Sequence, residues 1–135
     1  MNRIDLERRT KQFAISALKF VRALPPDRAI DVLARQLLRS ATSIGANYRE
    51  ANRAESRADF VHKIGLVEKE AAETEYWLEL LRDAGLSNGA AIDSLLSEAQ
   101  ELLRIFCAAN RTAKANGRLR DCDVARLRNL KRNRR

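Results

Sequence analysis

The stretch "DFVHKIGLVEKEAAETEYWLELL", Asp59 to Leu81, decides the fold. Its seam runs Phe60, Ile64, Val67, Ala71, Thr74, Leu78 and Leu81, with steps that alternate between four and three residues. That spacing keeps one face of an α-helix turned toward its neighbours. It is incompatible with the two-residue alternation of a half-buried strand. Both ends are marked. Ser56 with Asp59 three residues on approximates a capping box, Asp standing where Glu is usual. At "RDAGL", Gly85 suits the left-handed position past a helix end and Leu86 is placed to fold back onto the last turn.

The same rule, worked outward, gives three more helices. A second stripe runs Ile30, Leu33 or Ala34, Leu37, Ala41, Ile44, Tyr48 and Ala51. Asp27 is its cap, since the carboxylate accepts from the free N–H groups of the first turn. "LPPD" separates it from a first stripe of Phe13, Ala17, Phe20 or Val21, and Leu24. Pro25 and Pro26 force extended backbone before them and lack N–H donors. After "SNG", Ile92, Leu95, Ala99, Leu102, Phe106, Ala109 and Ala113 form a fourth stripe, which Gly117 is expected to close. Short connections between amphipathic helices predict an all-α, antiparallel up-down-up-down four-helix bundle. The bundle takes residues 1–116. Residues 117–135 are a basic C-terminal tail, disordered or a short helix capped by Asp123.

Composition fits this architecture. Hydrophobic residues make up 45% and charged residues 33%, with five Gly and two Pro, which suits a helix-rich domain rather than a many-turned β fold. Aromatics are only 5%, so Leu, Ile, Val and Ala must fill the core. The N-terminus "MNRIDLERRTKQF" is charged from its first turns, which predicts no signal peptide. No apolar run approaches the ~20 residues of a membrane span. Cys107 and Cys122 lack C-x-x-C partners, and a reduced cytoplasmic protein is expected.

Two surfaces invite a functional reading. On the second helix, Ser40, Ser43, Asn47 and Glu50 form a polar stripe beside the apolar seam, a partly buried polar site or subunit seam. On the third helix, Leu66, Trp77 and Leu80 share one flank outside the core stripe. A flank holding Trp predicts burial against a sister copy. Glu68, Glu70, Glu73, Glu75 and Glu79 stand on the same helix, with Arg49, Arg53 and Arg57 nearby as candidate ion-pair partners. Gly45 and Gly65, alone inside helices, are read as marks of close packing.

Catalytic chemistry finds little support. A di-iron bundle needs two Glu-x-x-His motifs, and the chain has one histidine, His62. No spacing joins His62 to Cys107 and Cys122 as zinc ligands, and Cys107 beside Phe106 reads as a small hydrophobe. No catalytic residue, metal ligand or cofactor is assigned. The tail is more informative. Residues 113–135 carry nine Lys/Arg against Asp121 and Asp123, leaving the rest of the chain +1 of the net +8. Arg126, Arg128, Lys131, Arg132, Arg134 and Arg135 are the candidate contacts to nucleic acid phosphates. A membrane partner is not expected.

The motifs "QLLRSATSIGANYREA" (Gln36–Ala51), Asp59–Leu81 as quoted above, and the weaker "EAQELLRIF" of the last helix resemble the 23S rRNA-intervening sequence protein family, also called four-helix bundle proteins. The likeness reaches about Lys114. Its most specific core is Arg39, Ser43, Ile44, Asn47, Glu50 and Ala51, joined by the "ETEYWL" stretch from Glu73 to Leu78. The resemblance implies small bacterial bundles that assemble as ring-shaped homopentamers. A more distant similarity to accessory proteins of diversity-generating retroelements implies nucleic acid and a reverse transcriptase as partners. The expected function is therefore a non-enzymatic, oligomeric bundle that binds RNA, DNA or a ribonucleoprotein. The alternative is a protein-interaction scaffold without nucleic-acid contact.

Overall fold

A computed structural model describes the backbone of residues 1–132 and the side chains of residues 1–116 and of Arg126. Four helices follow in order: α1 Arg3–Arg22, α2 Arg28–Asn52, α3 Arg57–Asp83 and α4 Ala90–Arg132. Among the described residues there is no strand.

Local chemistry sets most of the boundaries. Asp27 Oδ1 accepts from the N–H groups of Ala29 and Ile30 at 2.9 and 3.0 Å, and the Ser56 hydroxyl accepts from the Asp59 N–H at 3.1 Å. After α3, Gly85 takes φ +74°. The Leu86 N–H then returns to the Leu81 carbonyl at 3.0 Å while its side chain packs on the core. Helix α1 starts well before Phe13. Asn2 caps it through a reciprocal box with Asp5, and Leu6 and Thr10 add a further turn and more to its buried face.

The seams are buried as their spacing requires. Leu37, Ile44, Ile64, Val67, Leu78, Leu81, Leu102 and Phe106 are each at most 1% exposed. Tyr48 meets Phe106 across the middle of the bundle, ring centres 5.2 Å apart. Consecutive helices are antiparallel: Arg39 reaches Glu73 and Ser40 reaches Thr74 far from the α2–α3 loop, whereas Glu50 reaches Lys63 close to it. Each helix packs its backbone closely on its neighbours around the square, and α2 and α4, on the diagonal, meet through the Tyr48 and Phe106 rings.

Two expectations fail. Helix α4 does not stop at Gly117 but continues to Arg132, so Asp123 lies inside a helix instead of capping a separate one. One interior glycine costs about 1 kcal/mol relative to alanine, too little to end a helix resumed by Arg118, Leu119 and Arg120. Gly65 is the second. A Cβ there would meet nothing within 4 Å, so it does not mark a close approach within the bundle. Gly45 does, because a Cβ would come within 3.2 Å of Thr10 Oγ1 on α1.

Candidate functional site

The polar stripe of α2 begins in the core and ends in solvent. Ser40 is fully buried, Ser43 and Asn47 are half-buried, and Glu50 is exposed. Ser40 faces Thr74 of α3, their hydroxyls 2.9 Å apart. The Thr74 hydroxyl also lies 2.8 Å from the Glu70 carbonyl and the Ser40 hydroxyl 3.2 Å from that of Leu37. Both buried hydroxyls are therefore satisfied, which removes the penalty for taking them out of water and fixes α2 against α3 at that level. Ser43 instead donates to the Arg39 carbonyl at 2.6 Å, and Glu50 pairs with Lys63 at 2.9 Å. The stripe thus divides into separate contacts. Ser43, Asn47 and Glu50 do not converge on a common point.

Convergence occurs one turn away, around Arg39. Its guanidinium donates to Glu73 and, at 3.4 Å, to Glu70, while its Nε reaches Gln36. The Trp77 indole N–H donates to the same Glu73 oxygen at 3.2 Å. Hydrogen bonding from Arg39, opposed by burial and reinforced by Trp77, holds the Glu73 carboxyl below its ordinary pKa. The Arg39 guanidinium is raised in turn, chiefly by its bond to Glu73. Trp77 is half-buried against the core, edge-on to the Tyr76 ring with centres 5.0 Å apart. Leu66 and Leu80 are also half-buried on this flank, and Tyr76 beyond it is 54% exposed. The Arg39–Glu73–Trp77 cluster was invisible to helix-by-helix reading. The signal that points to it is that Arg39 and the "ETEYWL" stretch both belong to the family motifs.

The expected pairing of the third-helix glutamates with Arg49 and Arg53 is not seen; Arg39 takes that role. Arg57 turns the other way and donates to the Ala113 carbonyl of α4 at 3.3 Å, with its Nε buried and unpaired. On that side of α3, Asn110 donates to Glu68 at 2.6 Å. Burial first, and Glu79 second, push the Glu75 carboxyl up from its ordinary value.

The α1–α4 seam is the loosest. A groove of about 520 Å³ opens there, with Gln12, Phe13 and Ser16 on one wall and Ser94 and Ser97 on the other. Arg9 crosses it, its Nε and Nη2 donating to the two Glu98 oxygens at 3.0 and 2.6 Å. Among the described residues no cluster of three or more His, Cys, Asp or Glu side chains forms, and His62 is exposed. No helix among the described residues is long and apolar enough to cross a membrane. Of the six tail residues singled out, Arg126 is exposed. The side chains of Arg128, Lys131 and Arg132, and Arg134 and Arg135 entirely, lie outside the described residues.

Residues 3–108 match the 23S rRNA-intervening sequence proteins. The chain belongs to that family. A crystal structure of a protein of unknown function from the S23 ribosomal protein family of Bacteroides thetaiotaomicron VPI-5482 is similar to it. That structure is 35% identical, with TM-score 0.75, and the alignment covers 82% of this chain and 99% of the other. No curated protein matches. The family match ends at residue 108, within α4, and the helix continues to Arg132.

Proposed function

We propose that the chain is a non-enzymatic, cytoplasmic, oligomeric bundle, assembled as a ring-shaped pentamer, that binds RNA or DNA through the basic end of α4. The observation that carries this reading is helix α4 itself. At 43 residues it is about 64 Å long, against about 40 Å for α3, and Ala113 is the last buried residue among its described side chains. Nearly all the net charge of the chain lies from there onward. A helical rod delivers those arginines away from the body, where each phosphate they neutralise releases a counterion. Several copies in one ring would multiply the effect through effective concentration. The names of the family and of the Bacteroides relative point to a ribosomal-RNA setting, and a reverse transcriptase is the protein partner proposed.

The test uses the full chain and a variant in which Arg126, Arg128, Lys131, Arg132, Arg134 and Arg135 are all replaced by Gln. Electrophoretic shifts on RNA and DNA over a salt series should show affinity falling steeply with salt for the parent and weakly for the variant. Identical salt slopes for the two proteins would refute the arm. Light scattering should give about five times the 15.3 kDa chain mass, and a monomer would refute the ring.

A further inference from the structure

Opposite its core face, α2 carries a second stripe with the same four-three step as the seam: positions 28, 32, 35, 39, 42, 46, 49 and 53. All eight are exposed. Five are arginines and none is acidic. Arg39 leans to Glu70 and Glu73 on α3. Arg28, Arg35, Arg49 and Arg53 form no ion pair with any described residue. The nearest carboxylates on α2 are Asp31 beside the first turn and Glu50 beside the last, and Glu50 is turned to Lys63. The ridge spans about 37 Å from Arg28 to Arg53, on a helix packed against both α1 and α3.

We infer that this ridge is a second, sequence-tolerant binding site for the phosphate backbone of a nucleic-acid duplex. Its length is close to one turn of duplex, about 34 Å. Arginine forks suit phosphate oxygens. No aromatic stands among the arginines, so the ridge has nothing on which unpaired bases would stack. Val32 is its one large apolar residue, far short of the broad apolar face a membrane-surface helix requires. The whole-chain charge hides this site because the glutamates of α3, half-buried on its flanks, offset it. The inference rests on the nucleic-acid reading above but assigns it a different surface, on the body rather than the arm.

Fluorescence anisotropy of a 20-base-pair RNA duplex, and of the matched DNA, tests it across a salt series. The proteins are the parent, a ridge variant (Arg28→Gln, Arg35→Gln, Arg49→Gln and Arg53→Gln together), the arm variant above, and a ridge variant carrying Lys at the same four positions. The Gln ridge variant should lose about tenfold or more in affinity at low salt, its salt slope reduced by roughly 3 to 4. The Lys version should bind nearly as the parent, which separates lost charge from damaged structure. The arm variant should keep residual salt-dependent binding. Gln ridge binding equal to the parent, with the arm variant inert, would overturn the ridge and leave the arm standing. A parent that binds neither duplex at low salt would overturn both. A Gln ridge variant that loses affinity for phosphatidylserine vesicles but not for the duplexes would overturn the nucleic-acid assignment in favour of a membrane.

Discussion

Gly45 and Gly65 each sit alone in the interior of a helix, yet they answer to different forces. The Thr10 hydroxyl stands over Gly45 and is tied to the Leu6 and Glu7 carbonyls at 2.9 and 3.0 Å. A methyl group there must displace a side chain that has little room to yield. Gly65 faces open space, so alanine gains helix propensity without a clash. Gly65→Ala should therefore stabilise the fold by about 1 kcal/mol, and Gly45→Ala should lower the melting temperature. Urea and thermal unfolding of the two variants check both signs. Nothing in either helix's own sequence separates these glycines, because the difference is the presence of α1 against α2.

At the scale of elements, the α2–α3 seam and the α3–α4 flank respond to pH in opposite directions. Glu73 has its pKa lowered in the fold, chiefly by Arg39. Its contribution is present above the unfolded value of about 4.3 and is lost as pH falls through the lower folded value. Glu75 has its pKa raised, chiefly by burial and then by Glu79. Its contribution is complete below the unfolded value and is lost as pH rises through the folded one. Glu73→Gln should thus destabilise at pH 7 and Glu75→Gln should stabilise, each by about 0.5 kcal/mol, the size of exposed i,i+4 charge effects. The Glu75 difference should fade as pH falls toward the unfolded value of about 4.3. The Glu73 difference should fade only below that, as its carboxyl is protonated in the fold. Melting temperatures of the two variants from pH 3 to pH 7 decide it.

Along α4, Ala113 is the last buried residue among the described side chains, and Arg57 donates to its backbone carbonyl. Proline at position 117 would remove the N–H that bonds this carbonyl in a regular helix and clash with it. Arg57 leaves the carbonyl with a partner. Gly117→Pro should therefore lower far-UV ellipticity by about a tenth while shifting the unfolding midpoint by less than about 2 °C. A large fall in the midpoint would mean that the extension packs on the bundle. Glycine is a common helix stop, which is why the sequence predicts an end of α4 at Gly117. Its weight is too small when Arg, Leu and Ala follow on both sides of the acidic "RDCD" turn.

For the molecule as a whole, charge divides by layer. Cations outnumber carboxylates on α1 and α2, and the reverse holds on α3. An almost neutral total for the bundle thus conceals a basic side and an acidic side, which a count along the chain cannot reveal. Since the described packing ends before the arm, neutralising the six arm residues should leave the oligomeric mass unchanged. Light scattering of the parent and the arm variant at matched concentration measures this, and dissociation of the variant would place the arm in the assembly contacts.

The chain alone determined the four helices, the caps of α2 and α3 and most of the buried faces. Asp27, Ser56, Gly85 and the four-three seams act on neighbours within a turn or two, and such local chemistry is written in consecutive residues. Tertiary structure alone decided which polar groups meet. Ser40 with Thr74, Arg39 with Glu73 and Trp77, and Gly45 under Thr10 are each brought together from two helices. The outward Arg ridge follows the seam's own period, but only packing shows that its face is left to solvent. Periodicity specifies which face of a helix turns inward. It does not specify which side chain of the neighbouring helix arrives opposite, because that is set by the close packing of both.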